Sequence, residues 1–155
     1  MEEKNLEEKF KDILDKDEKI ISIIKPVKKR YWKEWLFPLI CPLFWPHAIF
    51  VLFFSLFTFP YFLGKDYNNR YYAYTNKRLI VRSGAFGVNF KCLEYKDITS
   101  TSVKVGLLDK GCSTGKLEFS SPSIRVNFPF SFSFIPNPYE NMRLIKEQID
   151  LATKK

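Results

Sequence analysis

The chain is poor in residues that commonly carry chemistry. Its 155 residues include one histidine, His47, and three cysteines, Cys41, Cys92 and Cys112. Because His47 lies in a strongly apolar stretch, no Ser-His-Asp or Cys-His grouping is available elsewhere. The cysteines are odd in number and lack metal-ligand spacing, so we interpret them as packing residues of a protein in a reducing compartment. We therefore predict no enzyme, no catalytic residue, no metal, no cofactor and no small-molecule substrate.

Charge is absent from one long stretch. The 28 residues Leu36–Leu63 contain no Asp, Glu, Lys or Arg, and about 18 or more apolar residues with few charges is the usual threshold for a membrane segment. A cleavable signal peptide is not expected, because the N-terminus is acidic and the apolar stretch begins late and is long. We call Leu36–Leu63 the uncharged run and expect it to hold the protein in the cell membrane.

The course of the uncharged run through a bilayer is open to two interpretations. As one straight helix it would be about 42 Å long, which exceeds the ~30 Å hydrocarbon core. Pro38, Pro42 and Pro46 disfavour such a helix because each removes an amide donor. The run either forms a helical hairpin bent near Trp45-Pro46-His47 or provides one span of about 17 residues beginning at Pro46. Basic residues on both sides favour the hairpin, with the rest of the chain in the cytoplasm.

Cations and aromatic rings stand directly before the uncharged run. This mixture is typical of a membrane interface, where rings lie at headgroup depth and long cationic side chains reach phosphate. The chain's net charge of +8 agrees with contact to anionic lipids. The same composition could bind nucleic acid, but its position beside the run argues against that partner. The predicted interface anchors are Lys28, Lys29, Arg30, Tyr31, Trp32, Lys33 and Trp35.

The segments on either side of the run differ in pattern. Residues 5–16 have the spacing of an amphipathic helix, which would either dock a partner or pack on its own domain. Residues 19–25 are rich in isoleucine and predict a strand that ends at Pro26. After the run, short strands are expected at 71–75, 79–83, 89–95, 98–105, 116–120, 124–128 and 131–135. A C-terminal amphipathic helix follows, with Asn137 as cap, Pro138 in the first turn, and Met142, Ile145 and Ile149 on one face.

Several motifs together resemble those of bacterial pleckstrin-homology-like (YdbS-like) domains found next to membrane segments. They are Tyr74-Thr75-Asn76-Lys77-Arg78-Leu79-Ile80-Val81-Arg82-Ser83-Gly84, Tyr95-Lys96-Asp97-Ile98, Gly115-Lys116-Leu117-Glu118-Phe119 and Ile135-Pro136-Asn137-Pro138. The resemblance implies a mainly-β fold of two packed antiparallel sheets, about seven strands in all, with a C-terminal helix. It also implies two membrane segments and a cytoplasmic domain. We divide the chain into an acidic helix (1–18), a strand with its basic-aromatic flank (19–35), the membrane segment (36–63) and the pleckstrin-homology-like domain (64–155).

Two functions are compatible with this organisation. The first is a non-enzymatic module that binds a membrane protein, or another copy of itself, at the membrane. The second is binding of anionic lipid headgroups by the first hairpin, because basic residues in the corresponding loop of eukaryotic pleckstrin-homology domains hold phosphoinositides. The candidate residues for headgroup binding are Lys77, Arg78, Arg82 and Lys91, whose cations would form charge-assisted hydrogen bonds with phosphate.

Overall fold

The computed structural model describes residues 8–33, 61–122 and 130–153. Within them are seven strands: β1 (Ile20–Ile24), β2 (Tyr71–Thr75), β3 (Arg78–Ser83), β4 (Asn89–Glu94), β5 (Ser100–Lys104), β6 (Thr114–Ser120) and β7 (Phe130–Pro136). The helices α1 (Leu107–Lys110) and α2 (Pro138–Thr153) follow β5 and β7, and 3-10 turns lie at Lys11–Ile13 and Tyr95–Asp97. Residues 28–33 and 61–69 are also helical.

The strands form two antiparallel sheets. The first has the order β1-β2-β3-β4 and the second has the order β5-β6-β7. In the second sheet, residues of β5 and β6 alternate between more and less exposed positions, as expected where one face packs on the core and the other meets water. Strand β2 is buried along its whole length because both faces of the first sheet are covered.

The main core lies between the two sheets. The Tyr72 ring stacks on Phe132 with centroids 4.8 Å apart, and Phe119 contacts Phe132 edge-on at 5.4 Å. Helix α2 adds Met142 and Ile145 to this core, with Ile149 packed against it, which confirms the predicted apolar face of the helix. The predicted fold of two antiparallel sheets with a C-terminal helix is therefore confirmed.

A second, smaller core covers the outer face of the first sheet. Phe10 is fully buried there against Ala73 and Ile80, and its ring meets Phe90 at 6.2 Å. The N-terminal segment thus packs on its own domain, one of the two roles considered for the predicted helix. In the described part of 5–16, however, the helical structure is limited to residue 8 and the turn Lys11–Ile13.

The predicted strands that fall on described residues are confirmed, including the one at 19–25. Of the seven strands in the described residues, six come after the uncharged run and β1 precedes it. The predicted strand at 124–128 lies outside the described residues. Because β1 is a full member of the first sheet, the folded unit includes residues on both sides of the run. An isolated fragment 64–155 would lack this strand.

The predicted membrane segment falls mainly on residues 36–60, outside the described part of the chain. Its last three residues, 61–63, begin the helical residues 61–69, and Leu63 is buried against the domain. Among the described residues, no helix has the length and apolar character needed to cross a bilayer. Of the two cysteines in the described part, Cys112 is half-buried, whereas Cys92 is exposed on the edge strand β4 and is not a packing residue.

Candidate functional site

The helical residues 28–33, which precede the uncharged run, and 61–69, which include its last residues, meet at one corner of the domain. Tyr31, buried in the helical residues 28–33, donates a hydrogen bond to Asp66 and packs against Tyr67 with ring centroids 5.5 Å apart. Tyr67 in turn donates to the Pro26 carbonyl oxygen at 3.2 Å. Burial, together with the bond to Asp66, raises the pKa of Tyr31, so its hydroxyl remains a donor at neutral pH. The chain thus leaves and rejoins the domain within one contact cluster.

The first sheet has two opposite ends, and this corner lies at one of them. Ile24, Tyr71, Ser83 and Asn89 lie at one end, which we call the run end, because residues 25–70 connect β1 to β2 there. The β3–β4 loop, residues 84–88, lies at the same end. The opposite end carries the β2–β3 turn at 76–77, and we call it the turn end. In five residues β2 spans about 17 Å, so the two ends are well separated.

The first hairpin's cations lie at the turn end. Lys77 is exposed in the β2–β3 turn, beside Asn76, which accepts a hydrogen bond from the Lys19 amide at 3.0 Å. Arg78 begins β3 directly after this turn. The tip of the hairpin therefore points away from the corner to which the uncharged run is attached.

Arg78 is engaged in an ion pair within the fold. Its guanidinium donates to both carboxylate oxygens of Glu18, at 3.0 and 2.7 Å, and to the Ile13 carbonyl oxygen at 2.7 Å. Burial raises the pKa of Glu18, but the hydrogen bonds from Arg78 and Thr75 outweigh that effect and hold the pKa below its ordinary value. The hydrogen bonds to Glu18 raise the pKa of Arg78. This pair fastens the N-terminal segment to the hairpin.

Arg82 and Lys91 lie on opposite faces of the first sheet. Arg82 is on the outer face, between the rings of Tyr71 and Phe90 at 5.9 and 6.0 Å, and it donates to the Asn69 carbonyl oxygen at 3.3 Å. Lys91 pairs in register with Val81 and shares the inner face with it. The four predicted headgroup residues are thus not brought together into one patch.

The predicted interface anchors divide into buried and exposed side chains. Arg30 is buried and donates to Asp109 at 2.6 Å, with its guanidinium 4.8 Å from the centre of the Phe134 ring. Asp109 also accepts from the Thr114 hydroxyl and the Gly106 amide. Arg30 and Tyr31 therefore connect parts of the domain, while Lys28, Lys29 and Lys33 are exposed and Trp32 is half-buried. Trp35 lies outside the described residues.

A polar cavity of about 190 Å³ opens between the sheets. Its lining includes two cations, Arg70 and Lys91, and three hydroxyl groups, from Ser83, Ser131 and Ser133. Arg70 donates to Asp66 at 2.7 Å, and in the described part of the chain its Nε is buried without a hydrogen-bond partner. These groups are all donors of the type that bind an anionic oxygen. No local sequence pattern marks this cavity, because its lining comes from four separate segments.

Across 8–33, 61–122 and 130–153, no cluster of three or more His, Cys, Asp or Glu side chains could hold a metal ion.

Comparison with known proteins gives a family. The family model described as "Bacterial PH domain" matches residues 23–147. The fold is similar to the crystal structure of a DUF1696 family protein with a pleckstrin-homology domain from Shewanella loihica PV-4, with a TM-score of 0.50 at 12% identity over 96% of this chain and 95% of that chain. A pleckstrin homology domain from Shewanella amazonensis SB2B matches with a TM-score of 0.49 at 15% identity, over 94% and 83% of the two chains. No curated protein matches the sequence.

Proposed function

This chain belongs to the bacterial PH domain family, and we propose that it is a non-enzymatic binding module held at the cell membrane by its uncharged run, with the domain in the cytoplasm. The observation that carries the proposal is the common attachment of both ends of the run. The helical residues 28–33 and 61–69 meet through Tyr31, Asp66 and Tyr67. The run end is therefore the side of the domain that faces the bilayer.

The pairing of β1 with β2 supports the hairpin rather than the single span. Strand β1 precedes the uncharged run and β2 follows it, yet the two form one ladder, with Ile24 opposite Tyr72. A single crossing would put these strands on opposite sides of the membrane and break the ladder. Half of the run, in helical form, is about 21 Å long, which is less than the ~30 Å core. These lengths favour a hairpin that enters and leaves on the same face.

The side facing away from the bilayer offers a surface for a protein partner or a second copy. Helix α2 packs beside the Tyr95–Asp97 turn, which follows β4 at the turn end. Its residues Leu144 and Leu151 are exposed and seven positions apart, so they share one helix face. Contiguous exposed apolar surface is typical of contact sites. We propose that this face binds the partner.

Binding of anionic headgroups remains a second candidate, with a different set of residues from the first hairpin. Exposed lysines flank the run directly: Lys28, Lys29 and Lys33 before it and Lys65 after it. Each cation near an anionic surface contributes about 1 kcal/mol to membrane binding. Lys77 and Arg78, at the turn end, would face away from the same bilayer.

The topology is tested with single cysteines on the two flanks of the run. In the full chain with Cys41, Cys92 and Cys112 replaced by serine, Lys29→Cys and Lys65→Cys are each treated with a membrane-impermeant maleimide. We expect both sites to react in inverted vesicles and neither in intact cells. Reaction of one flank in intact cells and the other in inverted vesicles would mean one crossing. Recovery of the full chain in a detergent-free aqueous extract would overturn the membrane anchor itself.

The headgroup candidate is tested by comparing lipid compositions. The full chain is placed in nanodiscs of phosphatidylcholine, with or without phosphatidylglycerol, and its thermal unfolding is measured. Headgroup binding predicts a higher Tm with phosphatidylglycerol and loss of that increase in Lys28→Glu with Lys29→Glu. Lys77→Glu is the control, since it reverses a charge at the turn end. An equal effect of the control, or no effect of phosphatidylglycerol, would contradict headgroup binding at the run end.

A further inference from the structure

The β3–β4 loop carries an exposed aromatic side chain at the run end. Phe86 is 82% exposed at the tip of this loop. Its ring lies 4.7 Å from that of Phe62, and Phe62 lies 6.0 Å from Tyr61, which is 60% exposed. Phe62 and Tyr61 belong to the uncharged run, so the loop tip and the end of the run form one continuous aromatic surface. We call these three rings the aromatic tip.

The loop is held in this position by its backbone. Gly84 has φ +138°, and a Cβ there would lie 2.1 Å from the Gly87 carbonyl oxygen, so the tight turn depends on glycine. The Gly84 amide donates to Asp66 at 3.3 Å, and the Asn69 side chain donates to the Gly84 carbonyl oxygen at 2.8 Å. Both partners lie on the helical residues 61–69. The start of the loop is therefore fastened to the segment that ends the uncharged run.

The surroundings of the aromatic tip match a bilayer interface. From Ser83 to Phe90 the chain carries no charge, and Val88 is also exposed. The Lys65 ammonium lies over the Tyr61 ring at 5.0 Å from its centre, which puts a cation beside the rings. Aromatic rings bordered by lysine are typical of headgroup depth, where the ring enters the apolar boundary and the cation reaches phosphate.

We propose that the β3–β4 loop is a second membrane-inserting element, in which Phe86 enters the lipid beside the uncharged run. This inference rests on the proposed membrane anchor and adds a contact that sets the orientation of the domain. One attachment leaves a domain able to tilt about its connection, whereas two adjacent contacts restrict that tilt. The turn end and α2 are then held away from the bilayer, where a protein partner can reach them.

The experiment measures the depth of three positions in the same membrane. The full chain, with its three native cysteines replaced by serine, carries an environment-sensitive fluorophore at one new cysteine: Phe86→Cys, Phe50→Cys inside the uncharged run, or Lys77→Cys at the turn end. Each protein is reconstituted in phosphatidylcholine vesicles with brominated acyl chains, and quenching is compared with that by aqueous iodide. We expect bromolipid to quench the probes at 86 and 50, and iodide to quench the probe at 77.

The possible results distinguish failure of the loop insertion from failure of the membrane anchor. Quenching by bromolipid at 50 but by iodide at 86 would refute insertion of the loop and leave the anchor intact. A probe at 86 that is blue-shifted but reached by neither quencher would mean that protein covers the loop, which also refutes the inference. Absence of bromolipid quenching at 50 would overturn the anchor. Val88→Cys, in the same loop, repeats the measurement with the Phe86 ring retained.

Discussion

Replacement of Arg78 by methionine tests whether this residue serves the fold or is available for a ligand. The substitution removes the charge and the hydrogen bonds but keeps an unbranched apolar side chain. The Glu18 side chain is 0% exposed and that of Arg78 is 20% exposed. After the change, Glu18 retains the Thr75 hydroxyl at 2.7 Å and the Asp15 amide at 3.2 Å, which are neutral donors. A buried carboxylate is thus left without its counter-charge.

The two remaining neutral donors to Glu18 limit the expected loss of unfolding free energy in Arg78→Met. Removing one partner of a fully buried ion pair costs about 3–5 kcal/mol. Because Arg78 is partly exposed and Glu18 keeps two neutral donors, we expect about 2–3 kcal/mol for Arg78→Met. For a folded body of this size, about 4 °C of Tm corresponds to 1 kcal/mol. The expected shift is therefore a decrease in Tm of about 10 °C.

The assay is thermal unfolding of the full chain in detergent at neutral pH, followed by near-ultraviolet circular dichroism of the aromatic residues. Lys77→Met is the matched control, since it removes an exposed cation one position away; its effect should stay within about 0.5 kcal/mol. The double variant Glu18→Gln with Arg78→Met should recover part of the loss, because no buried charge is left unpaired. Equal Tm values for Arg78→Met and Lys77→Met would refute the structural role and leave Arg78 available for a ligand.

The same ion pair predicts a dependence on pH. The pKa of Glu18 is lower in the folded protein than its ordinary value of 4.5. The pair's contribution to stability is therefore complete above about pH 4.5 and is lost as the pH falls through the lower, folded-state pKa. In Arg78→Met, burial favours the protonated form of Glu18. The difference in Tm between the unchanged protein and Arg78→Met should thus become smaller as the pH falls. A difference that does not change with pH would mean that the stabilisation does not depend on ionised Glu18.

Two further substitutions test the loop and the core by the same thermal assay. Gly84→Ala should lower the free energy of unfolding by about 1–3 kcal/mol because of the positive φ and the clash with the Gly87 carbonyl. The control Gly87→Ala, whose Cβ would meet open space, should lower it by less than about 0.5 kcal/mol. Equal effects of the two substitutions would contradict the loop geometry. Phe132→Ala removes a fully buried ring that stacks on Tyr72 and should lower the free energy of unfolding by about 3–5 kcal/mol. A decrease no larger than that of the control Ser102→Ala, at an exposed position of β5, would contradict the packing.

Local patterns predicted the elements well because their causes are local. Tyr71–Thr75 is rich in aromatic and β-branched residues, and the structure has a strand with these bounds. Helix α2 begins at Pro138 as predicted, since proline suits the first helical turn. Both outcomes depend on residues within a few positions of one another, which a single sequence displays directly.

The roles of individual cations were not predictable in the same way. Arg30 and Tyr31 stand in a basic-aromatic segment whose composition is that of an interface anchor, yet both are buried. Their partners, Asp109 and Asp66, are 79 and 35 positions away in the sequence. Arg78 likewise pairs with Glu18 across 60 positions. No nearby residue indicates such pairs, so composition alone does not distinguish a structural cation from one that meets lipid.

The end of the sheet at which the β2–β3 hairpin turns, in contrast, could have been inferred from strand order. In an antiparallel sheet with neighbouring strands joined in sequence, successive connections alternate between the two ends. Once residues 19–25 are counted as the first strand of the same sheet, the uncharged run lies in the first connection and Lys77 in the second. The third connection, which contains Phe86, must return to the end of the first. Strand order alone therefore puts Lys77 at the end of the sheet opposite the uncharged run and Phe86 at the same end as the run, before any side-chain contact is considered.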